Sequence, residues 1–320
     1  MFESKNVLVT GGAGFIGSHI SERLLKEGAH VRVLDNLSTG FYTKNIEPLI
    51  HRFGNKIEFV HGDITDLDTC RKTTKDIHIV CHQAAIGSVP RSVADPVTSH
   101  KNNVDGFFNM LVASKDNGIK RFVYASSSSV YGDHPILPKV EENTGNVLSP
   151  YAATKAIDEL YAGVFSRCYD MECIGLRYFN IFGPRQNPDG MYAAVIPKFI
   201  ESMRTFEQPI INGDGSYSRD FTYVDNAVSA NILAMTTENS DAFGTSFNIG
   251  AGGRITILEM LEEIQHCMVC GIAPIFKDVR AGDIPHSNAD ISKAKEILGY
   301  SPNISFSEGI HNTINYYTNV

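Results

Sequence analysis

The sequence predicts an α/β protein in which a doubly wound parallel sheet precedes a smaller mixed α/β part. Three observations carry that expectation. Over the first 178 positions, short β-branched runs alternate with helix-like stretches, the pattern of βαβ units. A glycine-rich turn stands between the first strand and the first helix. Beyond Asn180, turn signals such as Gly183-Pro184, Asn187-Pro188-Asp189-Gly190 and Asn212-Gly213-Asp214-Gly215 fall at irregular spacing, so the alternation breaks. We therefore divide the chain into a nucleotide-binding domain over 1–178, to which 225–235 returns, and a second domain over 179–320.

In order, the expected strands are 6–10, 30–34, 57–60, 77–80, 121–124 and 173–176. The first helix runs over 15–27 and is closed by Gly28; a later one covers 258–270, before a Gly- and Pro-containing loop at 281–285. The chain has 28 Lys+Arg against 36 Asp+Glu, a formal charge of −8, and a pI near 5.8. That balance argues against nucleic acid or an anionic membrane as partner, since both require a basic face. The sequence has no apolar run of membrane-spanning length and no signal-peptide pattern at its start. Six scattered cysteines do not form a disulfide framework, so a reduced cytoplasmic protein is expected. Cys267 and Cys270, after His266, lack the second ligand pair that zinc needs, and no metal is expected.

Gly11, Gly14 and Gly17 are the chemically informative residues of the turn. Gly11 permits the tight turn, Gly14 lets backbone approach a pyrophosphate, and Gly17 lets helix and strand pack, while the helix N-terminus offers N–H donors. Asp35 ends the second strand, where a carboxylate accepts hydrogen bonds from ribose hydroxyls and repels a 2′-phosphate, favouring NAD over NADP. Asp63, past the third strand, is placed to meet the adenine edge, with an ordinary turn aspartate as the alternative reading.

Ser149-Pro150 starts a helix, and Tyr151 and Lys155 then share one of its faces. A free phenol titrates near pH 10 and is a poor base at neutrality, but a nearby ammonium and a cationic nicotinamide ring stabilise the phenolate. Upstream, the run Ser126-Ser127-Ser128-Ser129 follows a strand end, which in such a sheet faces the ligand crevice. Some of these serines are expected to be plain turn residues.

Together the glycine spacing, Asp35, the serine run and the Tyr-Lys pair resemble the extended short-chain dehydrogenase/reductase family, of Rossmann type. More narrowly, nearly the whole chain is similar to bacterial UDP-N-acetylglucosamine 4-epimerases. The carrying motifs are His82-Gln83-Ala84-Ala85-Ile86-Gly87-Ser88-Val89-Pro90-Arg91-Ser92, Tyr178-Phe179-Asn180, the stretch 187–198, Arg219-Asp220-Phe221 and the stretch 282–290.

The resemblance implies Tyr151 as base toward the sugar 4-hydroxyl, Lys155 on the nicotinamide ribose, and Ser127 on the reacting oxygen. For NAD it adds Phe15, Ile16, Asn36, Ser38, Gly40, Ile64, Gln83, Ala84, Ala85, Asn103 and Tyr178. For the UDP-sugar it implies Gly87, Ser88, Ser128, Ser129, Asn180, Ala194, Val195, Lys198, Arg219, Arg254, Arg280, Asp283 and Ser287. Ser129 stands where related dehydratases and decarboxylases typically carry a carboxylate, which points away from elimination chemistry. The expected activity is interconversion of UDP-GlcNAc and UDP-GalNAc, with UDP-Glc and UDP-Gal as a further pair. Ser287, where galactose epimerases often carry a larger residue, leaves room for an acetamido group. Alternatives are a UDP-hexuronic acid 4-epimerase, with Arg91 or Arg185 on the carboxylate, and a non-catalytic dinucleotide-binding regulator. The family also implies a homodimer built from helices within 100–116 and 152–167.

Overall fold

The computed structural model describes residues 2–188, 194–279 and 284–318. Strands β1 (Asn6–Thr10), β2 (His30–Asp35), β3 (Ile57–His61), β4 (Ile79–His82), β5 (Arg121–Ser127) and β6 (Glu172–Tyr178) join Thr245–Ile249 in one seven-stranded sheet. Its order is Thr245–Ile249, β6, β5, β4, β1, β2, β3, and every pairing is parallel. Connections leave β1 toward one edge and β4 toward the other. The crevice of this doubly wound Rossmann-type sheet therefore lies at the carboxyl ends of β1 and β4.

Burial on both faces explains why β1 reads as an unbroken apolar run. Val7 and Val9 enter one core cluster, with Ile20 and Leu24 of the helix Phe15–Lys26. Leu8 enters the other, with Phe107 and Met110 of the helix Gly106–Asp116 and Phe122 of β5. The helix Val224–Thr236 packs against Phe15–Lys26, so the chain comes back to the first part after residue 223. The strand Thr245–Ile249 follows it onto the sheet edge beside β6, beyond the limits expected for that domain. Its sequence, Thr-Ser-Phe-Asn-Ile, has no apolar run to announce a strand: Phe247 fills the core while Asn248 is held by polar partners.

The second part is built from short elements. Arg219 and Ser287 face one another in a three-stranded sheet of Ile255–Thr256, Ser218–Arg219 and His286–Ser287. The helix expected over 258–270 runs from Ile257 to Met268: Thr256 and Glu259 form a capping box at its start, and Val269 turns left-handed (φ 50°) at its end. All six cysteines are free thiols. Among the described residues no helix is long and apolar enough to cross a membrane, and no group of three or more His, Cys, Asp or Glu side chains could hold a metal.

His82 lies buried in β4, hydrogen-bonded through Nδ1 to Thr10 Oγ1 at 2.9 Å and stacked on Phe122. Burial, then the charge of Lys155, lowers its pKa to about 3. His19, whose Nε2 meets the Pro184 carbonyl at 2.9 Å, is lowered to about 4 by burial and by Arg185. Both rings are neutral in the fold, so the unfolded chain takes up protons first as the pH falls below 6.5. Stability present above that value is lost progressively on the way down to pH 4 and 3. His82→Asn is expected to flatten the fall in Tm between pH 6.5 and 4, with His19 retaining part of the slope. Thermal unfolding across that range checks it; an unchanged slope refutes the assignment.

Candidate active site

The turn after β1 works by close approach. Gly11 has φ +65°, and a Cβ there would lie 2.8 Å from the Ala84 backbone. A Cβ on Gly17 would stand 2.3 Å from the Gly11 carbonyl oxygen. Gly14 is the N-cap residue of Phe15–Lys26 and supplies no capping side chain, so the helix presents bare N–H donors at its start. At the end of β2, Asp35 accepts from Ala13 N (3.0 Å) and Leu37 N (2.8 Å). Burial raises its pKa against the pull of these two bonds.

These residues open onto a cleft of about 560 Å³. Of the residues singled out for NAD, Gly11, Gly14, Phe15, Ile16, Gly17, Asp35, Asn36, Ser38, Ile64, Gln83, Ala84, Ala85, Tyr151, Lys155 and Tyr178 line it. Gly87, Ser88, Ser127 and Asn180 line the same cleft. The glycine cradle, the open helix start and the Asp35 carboxylate fit a dinucleotide: small backbone where phosphates approach, an acceptor where ribose hydroxyls come.

Three others expected near NAD are not among the residues lining this cleft. Gly40 packs on Ala13, its Cβ position 2.9 Å from the Ala13 Cβ. Asp63 accepts from Asn36 Nδ2 (2.9 Å) and Thr65 N (2.8 Å). Burial raises the Asp63 pKa, but these bonds outweigh it and hold the carboxyl below its usual range. Asn103 is buried and staples Ile86 N and O to Thr154 Oγ1, while its neighbour Asn102 lines the cleft.

The helix Pro150–Tyr169 carries Tyr151 and Lys155 to the cleft. Ser149 Oγ caps Ala152 N at 3.1 Å, and Ser92 Oγ accepts from Tyr151 N at 3.0 Å. Ser92 was legible only as part of a motif; its capping role is long-range and left no local signal. Lys155 is buried, with Nζ 2.9 Å from the Ala125 carbonyl and 3.2 Å from Asp158 Oδ2. Ser127 ends β5, and the strand register sets it beside Tyr178. Tyr178 OH donates to Gln83 Oε1 (3.0 Å) and accepts from Asn231 Nδ2 (2.7 Å), and burial pushes its phenol well up.

Ser128 and Ser129 continue in a short 3-10 turn outside the cleft lining. Ala194, Val195 and Lys198 stand at the start of the helix Val195–Arg204. Arg219, Arg254 and Ser287 gather on or next to the small three-stranded sheet. Arg280 and Asp283 lie outside the described residues. Arg91 sits in the short helix Val89–Ala94, whereas Arg185 pairs with Glu22 beside Phe15–Lys26. Cleft-lining residues not anticipated include Thr39, Asn102, Ile181 and Gln186, side chains without a distinctive chemical spacing.

Behind the site runs a buried polar network. Arg177 binds Glu159 through Nε (2.9 Å) and Nη2 (2.8 Å), and Glu159 also accepts from Ser126 Oγ (2.5 Å). Arg177 Nη1 reaches Tyr131 OH (3.0 Å), which donates to Asn248 Oδ1 (2.6 Å). Asn248 Nδ2 then holds the carbonyls of Lys139 and Asp290.

Residues 7–250 match the family described as "NAD dependent epimerase/dehydratase family". A putative UDP-glucose 4-epimerase of Methanocaldococcus jannaschii is 40% identical over 315 residues, covering 98% of each chain. A UDP-N-acetylglucosamine 4-epimerase from Methanobrevibacter ruminantium M1, solved in complex with UDP-N-acetylmuramic acid, superposes with a TM-score of 0.93 at 39% identity, covering 99% of both chains. A UDP-glucuronic acid 4-epimerase from Bacillus cereus, solved with UDP-glucuronic acid and NAD, gives 0.90 at 32% identity, covering 98% of this chain and 99% of that one.

Gly17→Ala forces backbone apart, because the atom in its way is the Gly11 carbonyl oxygen rather than a movable side chain. The expected loss is about 1–3 kcal/mol of stability, together with weakened NAD binding. Urea unfolding and NAD titration of the variant check it; wild-type values in both overturn it.

Proposed function

The chain belongs to the NAD-dependent epimerase/dehydratase family, and from that premise we propose that it interconverts UDP-GlcNAc and UDP-GalNAc by inversion at sugar carbon 4. Relatives named as UDP-sugar 4-epimerases along the whole chain support the reaction class. The observation that carries the reading is one cleft that collects the glycine turn, Tyr151, Lys155 and Ser127.

In this reading Ser127 and Tyr151 hold the 4-hydroxyl, and the Tyr151 phenolate takes its proton. Lys155 orients the nicotinamide ribose and stabilises the phenolate electrostatically. NAD, when bound, supplies a hydride acceptor that returns the same hydride, so no second substrate is consumed. The resulting 4-keto sugar turns about its diphosphate linkage and is reduced on its other face, with Tyr151 giving the proton back. Inversion thus needs a firmly held UDP and a loosely held sugar. Arg219 on the small sheet and Arg254 just before its strand Ile255–Thr256, with Arg280 and Asp283, are assigned to UDP, together with Asn180, Ala194, Val195 and Lys198.

Preference for the N-acetylated sugars is supported by small residues. A Cβ built on Gly87 meets nothing within 4 Å, so the cleft is open beside it, and Ser88 follows. Ser129 and Ser128 leave the serine run without an acid for elimination. The uronate alternative loses support at Arg185, which pairs with Glu22 instead of lining the cleft. The retained Tyr-Lys pair argues against a non-catalytic regulator. A homodimer is supported by an exposed apolar stripe: Leu160 (70%), Tyr161 and Val164 on Pro150–Tyr169, with Phe108 against Tyr161.

The test is an epimerase assay on each UDP-sugar with no NAD added, following inversion at carbon 4. UDP-GlcNAc and UDP-GalNAc are expected to interconvert, and Tyr151→Phe to lower kcat by 10²–10⁴, the usual range for a lost general base; an unchanged rate refutes the mechanism. Ser287→Tyr is expected to reduce kcat/KM for UDP-GlcNAc by roughly 10- to 200-fold, the range for steric discrimination of about 1–3 kcal/mol, and to spare UDP-Glc. Undiminished turnover of UDP-GlcNAc by this variant would remove Ser287 as the gate.

A further inference from the structure

Asp158 is a buried carboxylate that the reaction as described does not use. It lies on the helix Pro150–Tyr169, three residues past Lys155 and seven past Tyr151, so the three share one helical face. Neither it nor Lys155 is more than 2% exposed. Its Oδ2 accepts from Lys155 Nζ at 3.2 Å, and its Oδ1 has no hydrogen-bond partner. Burial raises its pKa to about 7, against the attraction of Lys155 and with the repulsion of Glu159. The other groups facing the pair are Tyr124 on β5, which feels the Asp158 charge, and His82 on β4, which feels that of Lys155. Glu159 is itself neutralised by Arg177.

A carboxylate kept only for packing would satisfy both oxygens; this one spends one of them on a lysine that also faces the cleft. We propose that Asp158 is a positioning residue for the catalytic pair: it gives the Lys155 ammonium a second station below the cleft, and its negative charge sets the pH at which Tyr151 works as a base. The idea rests on the 4-epimerase reading with Tyr151 as base. Lys155 then shares its donors among the Ala125 carbonyl, Asp158 and the cofactor ribose, and the charge it lends to the phenolate is partly offset from behind. Removing that offset favours the phenolate. Asp158 carries that charge above about pH 7, so the part of the acid limb lying there must move to lower pH.

The experiment compares full-length, NAD-loaded wild type with Asp158→Asn, Asp158→Ser, Asp158→Glu and Tyr151→Phe, measuring kcat and KM for UDP-GlcNAc from pH 5 to 10. Both neutral variants should fold and keep KM within about twofold, since Asp158 lies off the UDP path. Their acid limb should move down by about 0.5–1 pH unit, as for one charge removed roughly 10 Å away in a medium of intermediate dielectric. Asp158→Glu, which keeps the charge, should restore the wild-type limb. Three results overturn the proposal: a limb that superposes on wild type, a shift that Asp158→Glu leaves in place, or failure of both neutral variants to fold, which makes the residue structural. Undiminished activity of Tyr151→Phe sinks the underlying mechanism instead, whatever Asp158 does.

Discussion

The two-pronged bond between Arg177 and Glu159 fixes the frame on which the cleft is hung. Arg177 belongs to β6 and Glu159 to the helix Pro150–Tyr169, so the pair locks that helix at one height above the sheet. Ser126 donates to the same carboxylate, which ties the end of β5, and with it Ser127, to the helix carrying Tyr151. Through Tyr131 and Asn248 the network continues to Lys139 and Asp290, on the side of the second part. A planar guanidinium with several directed donors ties Glu159, the Tyr131 hydroxyl and the Glu141 carbonyl to β6 at once. Removing one member would strand the others in a low-dielectric interior, which is why such networks resist piecemeal change.

On the proposed reading an acidic protein binds two diphosphates, which is consistent once charge is considered locally. The formal −8 is spread over the surface, whereas the anion-binding devices proposed are a bare helix start behind Gly11 and Arg219 on a short strand of the second part. Exposed charges separated by more than about 10 Å are largely screened at ordinary salt, so the distant carboxylates do little to oppose these sites. The net charge does weigh against polyanions, whose binding sums many contacts over a wide face.

Specificity and catalysis place opposite demands on the same pocket. In the 4-epimerase reading the sugar must be free to turn, and Gly87 and Ser88, the cleft residues proposed beside it, are small. The groups proposed to handle the proton are firmly held: Lys155 is nearly inaccessible, Ser127 sits at a strand end, and Ser92 and Ser149 cap the first turn of the helix behind Tyr151. On that reading, breadth among UDP-sugars would follow from the loose half and the position of the reacting hydroxyl from the tight half.

The local sequence determined the parts whose physics is local. Alternating strands and helices, the glycine turn, Asp35 at a strand end and the Ser149-Pro150 helix start each come from steric or hydrogen-bonding rules that act over a few residues, and the structure brings Gly11, Asp35, Ser127, Tyr151 and Lys155 to one cleft. What tertiary structure alone decided is long-range. Thr245–Ile249 becomes a strand because β6 offers it an edge, not because its own residues insist on it. Asn103 turns inward to hold Ile86 while Asn102 lines the cleft, a choice between neighbours that no spacing could make. Asp158 reads in sequence as one more polar helix residue; only the packing of that helix on β5 and β6 buries it with a lysine and leaves one oxygen unpaired. Motifs fix which groups are present, whereas burial fixes their charge and their company, and burial is a property of the whole fold.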